Sequence, residues 1–202
     1  MMRSKSIEQQ KLNLRLTSMQ REILVGILLG DAHLETQNDG QTYRLKIEQS
    51  ERHRTYVEHL YRVFEEWVLT PPQARQKHSA GSESVNWWFQ SVSHPAFRFY
   101  AQQFYRQGKK CIPKLIHRWL TPLGLAYWFM DDGSSKWRES KVLLLNTQGF
   151  EKNEIERLAK VLESKFGLEV NLRKQSKGWH IAIAGSMRGK FEDLVAPHLW
   201  LV

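Results

Sequence analysis

Cysteine is almost missing from this 202-residue chain. Cys111 stands alone, which excludes an internal disulfide and a cysteine-rich zinc site and points to a reducing compartment. No apolar run approaches the roughly 18 residues of a membrane span, so no membrane partner is expected. The opening "MMRSKSIEQQKLNLR" is polar throughout and lacks the apolar core of a signal peptide. The eight histidines are scattered without a zinc-type pair, and no linker or low-complexity segment interrupts the chain. An intracellular protein is expected, in an organelle (mitochondrion or chloroplast) or a bacterial cytoplasm. Acid is the scarcer charge. Against 30 Lys+Arg stand 21 Asp+Glu, and the net charge of +9 favours a polyanionic partner, nucleic acid first.

What the chain does have is a repeat. Thr17 opens "TSMQREILVGILLGDAH", where Thr17 and Gln20 stand at capping-box spacing and the apolar run ends at Asp31. Thr121 opens "TPLGLAYWFMDDGS", with Pro122 at the favoured first helical position and Gly133 as terminator. Asp31 and Asp132 lie 101 positions apart. Further on, Glu58, Leu60, Val63, Phe64, Glu65 and Arg75 fall on Glu156, Leu158, Val161, Leu162, Glu163 and Arg173 at a constant offset of 98. Such a match predicts an α+β protein of two duplicated halves, 1–108 and 109–202, joined at "KKCIPK". Each half should run helix, hairpin, helix, hairpin, helix. The hairpins fall near 33–49, turning at Asn38-Asp39-Gly40; 73–93, turning near Gly81; 135–148; and 168–185, turning near Lys177-Gly178. The remaining helices are expected over 53–67, 95–107, 151–166 and 187–195.

The ends of the two apolar helices carry the chemistry. A helix C-terminus holds partial negative charge, so an aspartate in the last turn is electrostatically misplaced, and here the misplacement occurs twice in register. Helices apolar on most sides belong in the interior. The simplest arrangement packs them side by side about a pseudo-twofold axis, with Gly26 and Gly30 permitting close backbone approach. Parallel packing would bring Asp31 and Asp132 to one spot, where two carboxylates repel unless a cation lies between them. Mg²⁺ uses one or two carboxylates with water and phosphate, and the last helical carbonyls could complete its shell. Asp31, Asp132, Gly30 (through its carbonyl) and Asp131 are therefore the candidate metal-binding residues, with Asp131 the more structural of the acids because its counterpart is Gly30.

Recognition is expected on the hairpins, where alternate residues face opposite sides. In "YRLKIE", Tyr43, Leu45 and Ile47 should face inward and Arg44, Lys46 and Glu48 outward. Gln73, Arg75 and Lys77 should share a face, as should Asn171, Arg173 and Gln175. Arg and Lys can read guanine edges, Gln and Asn adenine, Glu cytosine. Lys136, Trp137, Arg138 and Lys141 are expected to meet backbone or bases near the second half's first hairpin. Trp87, Trp88, Phe89, Phe97 and Phe99 are expected in the core.

"LVGILLGDA" (24–32) and "LAYWFMDDG" (125–133) resemble the two copies of the motif that names the LAGLIDADG homing endonucleases. "WVLTPP", "KKCIP", "LTP" and "LNTQ" resemble further landmarks of a single-chain member, in the same order, so that the resemblance covers residues 18–200. It implies two αββαββα halves whose antiparallel ridges form a saddle over DNA, and a monomer that cuts both strands of a long asymmetric duplex. The implied cofactor is Mg²⁺, with Mn²⁺ substituting and Ca²⁺ binding without efficient cleavage. Asp31 and Asp132 would be catalytic metal ligands and Lys110 an active-site lysine. The second active-site lysine of such proteins would lie in a segment beyond "PHLWLV", so cutting of one strand is expected to need that segment or a substitute base. The same fold also serves RNA-splicing maturases and non-cleaving DNA-binding proteins, which makes structured intron RNA the alternative partner.

Overall fold

The computed structural model describes residues 11–79, 82–136, 139–176 and 178–200. The expected turn at Gly81, Lys177, and the candidate contacts Trp137 and Arg138 lie outside these residues. Two compact units are present. One comprises 11–21, 31–101 and Trp200, the other 22–30 and 102–199. This division differs from that of the repeat. Duplication counts sequence, whereas a compact unit counts packing, and the stretch 22–30 packs with 102–199.

Helix α1 (Ser18–Leu29) starts at the expected capping box. Thr17 Oγ1 accepts from the Gln20 N–H at 3.1 Å, and Gln20 Oε1 accepts from the Thr17 N–H at 3.0 Å. Gln20 Nε2 also donates to the Val63 carbonyl at 2.8 Å, which lets this amide be buried.

In the first unit, β1 (His33–Glu35), β2 (Arg44–Ser50), β3 (Gln73–Ser79) and β4 (Ser82–Gln90) form an antiparallel sheet of order β1-β2-β4-β3. Asp39 (φ 53°) and Gly40 (φ 80°) supply the left-handed residues of the first turn. Helix α2 (Arg54–Val63) contributes Tyr56, Val57 and Leu60 to a core that also holds Leu45, Ile47, Phe64, Trp67 and Phe89. The helix expected over 53–67 is interrupted. It closes at Phe64 (φ −114°), and the flanking segments Glu51–His53 and Glu65–Trp67 are single 3₁₀ turns.

The helix expected over 95–107 stops early, as α3 (Arg98–Phe104). A small hairpin then takes over, in which β5 (Tyr105–Arg106) pairs with β6 (Lys109–Lys110) around Gln107 (φ 51°) and Gly108 (φ 76°). After α4 (Ile116–Trp119) comes α5 (Pro122–Asp132), whose N-cap Thr121 accepts from the Gly124 N–H at 3.2 Å.

Strands β7 (Gly133–Ser135), β8 (Leu143–Asn146), β9 (Val170–Gln175) and β10 (Gly178–Ile183) make the second sheet, order β7-β8-β10-β9, all antiparallel. Helix α6 (Lys152–Phe166) is capped by Glu151 and Glu154 at one end and by left-handed Gly167 (φ 61°) at the other. Helix α7 (Arg188–Val195) closes this unit, with Phe191 edge-on to Phe129. Gly133 does not end α5 by a left-handed turn. Its φ is −78°, and a Cβ there would lie 2.2 Å from the Phe129 ring, so crowding and not handedness demands glycine. Among the described residues no helix is long and apolar enough to cross a membrane.

Candidate active site and sheet faces

The second unit packs the stretch 22–30 of α1 against α5 backbone to backbone. A Cβ on Gly26 would sit 2.2 Å from the Gly124 carbonyl oxygen, and one on Gly124 would sit 3.0 Å from that of Glu22. Further along, a Cβ on Gly30 would meet Asp131 Oδ2 at 2.3 Å. Glu22 and Gly26 thus lie beside the start of α5 and Gly30 beside its end, so the helices run in the same direction. Thr121 Oγ1 donates to Glu22 Oε2 at 2.6 Å and ties the two starts together. Gly124 is the partner that motif reading overlooked, which named only Gly26 and Gly30 for the close approach.

The acids close these helices. Asp132 is the last residue of α5 and is half-buried, as is Asp131. Asp31 follows Gly30 directly, is exposed, and accepts from Gln49 Nε2 at 2.8 Å through its Oδ2. Gln49, at the far end of β2, carried no sequence signal for this role. Among the described residues no group of three His, Cys, Asp or Glu side chains could hold a metal unaided. Lys110 is delivered by the β5–β6 hairpin, and its Nζ donates to the Gly30 carbonyl oxygen at 2.5 Å. A helix-end carbonyl lacks its intrahelical partner and carries negative partial charge, so an ammonium group suits it. The neighbouring Lys109, on the opposite side of the strand, donates to Glu151 Oε1 at 2.5 Å and clips the hairpin to the start of α6. The Gln107-Gly108 pair between two short polar runs was the available signal for this hairpin.

On the first sheet, Arg44, Lys46 and Glu48 share one face of β2, while Leu45 and Ile47 are buried on the other. The register sets Glu35 opposite Arg44, His33 opposite Lys46, Trp88 opposite both Glu48 and Gln73, Asn86 opposite Arg75, and Ser84 opposite Lys77. All of these therefore lie on that face. Two carboxylates organise it. Glu35 Oε2 accepts from Arg44 Nη2 at 2.9 Å, and its Oε1 lies 3.3 Å from Lys46 Nζ and 2.9 Å from His33 Nε2. Burial alone would raise the Glu35 pKa, but the hydrogen bonds from Arg44 and His33 and the charge of Lys46 outweigh it and hold the carboxyl at about 2. Glu48 Oε1 accepts from Lys77 Nζ at 2.8 Å and Asn86 Nδ2 at 2.9 Å, with Arg75 Nη1 3.8 Å from Oε2. Its carboxyl is likewise lowered: burial opposes, and Lys77 and Asn86 prevail. The Arg75 guanidinium stacks on Trp88 at 4.5 Å.

On the second sheet, Asn171, Arg173 and Gln175 share a face and are exposed. Asn146 and His180 lie beside Arg173 on it, joined by a 2.9 Å contact from His180 Nδ1 to Asn146 Oδ1. Lys136 and Lys141 are exposed on the connection between β7 and β8. The repeat offset that matches Arg75 with Arg173 does not hold on the ladders. Arg173 pairs with His180, the counterpart of Trp88, whereas Arg75 pairs with Asn86. Of the five aromatics expected in the core, only Phe89 and Phe97 are there. Trp87 and Trp88 are half-buried, the former under the Arg54 guanidinium, and Phe99 is 50% exposed.

The model of the LAGLIDADG DNA endonuclease family matches residues 21–191. The probable intron-encoded endonuclease 1 of Wickerhamomyces canadensis is 35% identical over 191 residues, covering 91% of this chain and 81% of its own. The solved structure of the homing endonuclease I-WcaI bound to its DNA recognition sequence superposes with a TM-score of 0.90 at 32% identity, over 96% of this chain and 88% of that one. I-DmoI in complex with DNA and Mn has the same fold, with a TM-score of 0.55 at 14% identity over 88% of this chain and 96% of that one.

Proposed function

The chain belongs to the LAGLIDADG DNA endonuclease family, and from that premise we propose that Asp31 and Asp132 carry its phosphodiester hydrolysis, with Lys110 as the adjacent positive group. It is a homing endonuclease acting on duplex DNA. The observation that supports the site assignment best is the parallel, glycine-mediated pairing of 22–30 with α5. It ends one helix at Leu29, two residues before Asp31, and the other on Asp132 itself.

The donors fit a hard divalent cation, because they are carboxylate and carbonyl oxygens without sulfur or imidazole. Asp31 and Asp132 would hold it, phosphate and water completing the shell. When bound, such an ion stabilises charge on the scissile phosphate and lowers the pKa of a coordinated water. Mg²⁺ is the proposed native ion, Mn²⁺ its substitute, and Ca²⁺ a ligand that supports binding without efficient cleavage. Gln49 orients the Asp31 carboxylate through its 2.8 Å hydrogen bond. Lys110 presents its Nζ at the end of α1, where it can donate to a phosphate oxygen as charge develops. The outward faces of the two sheets are the proposed DNA-reading surfaces.

The test begins with cleavage selection from a randomised duplex library in MgCl₂, which defines the target. Asp31→Asn and Asp132→Asn are each expected to lower cleavage at least about 100-fold, the scale of losing a key electrostatic group. Binding to the selected duplex in CaCl₂ should stay within about threefold. Full activity in either variant refutes the metal assignment. Competition by structured intron RNA in the same binding assay checks the RNA-directed alternative.

A further inference from the structure

All four cations that β2 and β3 place on the first sheet's outward face are engaged by acids of the same sheet, Arg44 and Lys46 by Glu35, Arg75 and Lys77 by Glu48. This is an unexpected use of charge in a chain of net +9 that binds a polyanion. The second sheet is built otherwise. Its strands contain no Asp or Glu, and Asn146 occupies on β8 the ladder place that Glu48 holds on β2.

We propose that Glu35 and Glu48 are specificity-determining positioning residues that mask these four cations against random DNA and yield a net gain only at matching base edges. The proposal rests on the assignment of that sheet face to DNA. A phosphate approaching Arg44 must displace Glu35 or sit beside it, so the contact it gains is offset by a lost pair or by like-charge repulsion. A G·C pair in the major groove presents guanine O6 and N7 acceptors next to the cytosine N4 donor. An arginine held beside a carboxylate offers the opposite pattern, and both can bond without breaking their own pair. Glu35 is tied to Arg44 by hydrogen bonds from both Nε (3.2 Å) and Nη2 (2.9 Å), so the guanidinium is held in one orientation before DNA arrives. Both carboxyls are held below the ordinary carboxylate range by these same cations and their hydrogen bonds.

The experiment measures binding by fluorescence anisotropy in CaCl₂ across a KCl series, using the selected target and a scrambled duplex of equal length and composition. Glu35→Gln is expected to tighten binding to the scrambled duplex about three- to tenfold and to steepen its log K against log [KCl] slope by about 0.9 per unmasked cation. Its affinity for the target should fall, so that the ratio of the two drops at least about tenfold. Glu48→Gln, in the other cluster, should act in the same sense and serves if Glu35→Gln does not fold. Equal weakening on both duplexes with an unchanged salt slope would make the glutamates merely structural and overturn the proposal. If Arg44→Gln and both glutamate variants leave both duplexes unaffected, the face does not meet DNA, and the assignment beneath the proposal falls with it.

Discussion

Lys110 spends its hydrogen bond on a backbone oxygen, the Gly30 carbonyl 2.5 Å away, and that choice fixes where its charge acts. A solvated lysine would stabilise nothing in particular; one pinned at a helix end acts at a fixed point. Lys110→Ala is expected to slow single-turnover cleavage about 100-fold while duplex affinity changes less than about threefold. Matched losses in both would make it a DNA anchor. Glu35 allows a second residue-scale prediction. Its folded pKa, about 2, lies below the ordinary 4.5, so the pairing contributes stability that is fully present above the ordinary value and is lost as pH falls through the folded one. The gap in Tm between wild type and Glu35→Gln should therefore be constant above about pH 5 and should narrow toward pH 2. A gap that stays the same at pH 2 would show that the carboxylate's charge contributes nothing.

Elements position these residues, and the paired helices do so by omitting side chains. At Gly26 a methyl group would lie 2.2 Å from the Gly124 carbonyl oxygen, a backbone atom that can yield only if the helix moves. Gly26→Ala should destabilise by about 1–3 kcal/mol, as overpacking does, seen as a lower urea midpoint at unchanged slope, and Gly124→Ala, with 3.0 Å to its nearest atom, by less. An unchanged midpoint for Gly26→Ala would mean the helices do not meet there. Caps and apolar stretches were readable in the sequence because each is a local code: Thr17 with Gln20, Thr121 with Pro122. What escaped reading was one local turn, passed over within a helical pattern, and contacts whose partners are distant in sequence. The periodicity of 95–107 runs on past Phe104, yet the chain turns back at Gln107-Gly108 to pair its two short strands. The two-residue ladder slip between Arg75 and Arg173 arises beyond the matched helices: Gln73 follows Val63 by ten positions, whereas Arg173, in the same ladder place, follows the counterpart Val161 by twelve, which an alignment of helices does not sense. Alternation assigned Arg44, Lys46 and Glu48 to one face correctly, but nothing in it signalled that Trp88 shares that face as a platform for Arg75.

At the scale of the whole molecule, the net charge of +9 is unevenly buffered. The strands of the first sheet carry Arg44, Lys46, Arg75 and Lys77 together with Glu35, Glu48 and Glu83; those of the second carry Arg173 and Lys174 and no acid. The two faces proposed to read DNA should therefore fail differently. Arg75 is stacked on Trp88 at 4.5 Å and lies 3.8 Å from Glu48, so its position is fixed and its charge largely answered within the protein. Arg75→Ala is expected to relax the selected sequence at one position, by about 1–3 kcal/mol of discrimination, with little change in affinity for scrambled DNA. Arg173 is exposed on a sheet whose strands carry no acid. Its loss should relax one position and also flatten the salt dependence on scrambled DNA by about 0.9 in the logarithmic slope. Sequencing the products that each variant cleaves from one randomised library, beside anisotropy on the scrambled duplex, separates the two. A uniform drop across all library members for Arg75→Ala would identify a phosphate contact. The stacked, acid-flanked geometry of that guanidinium would then have no role in reading bases.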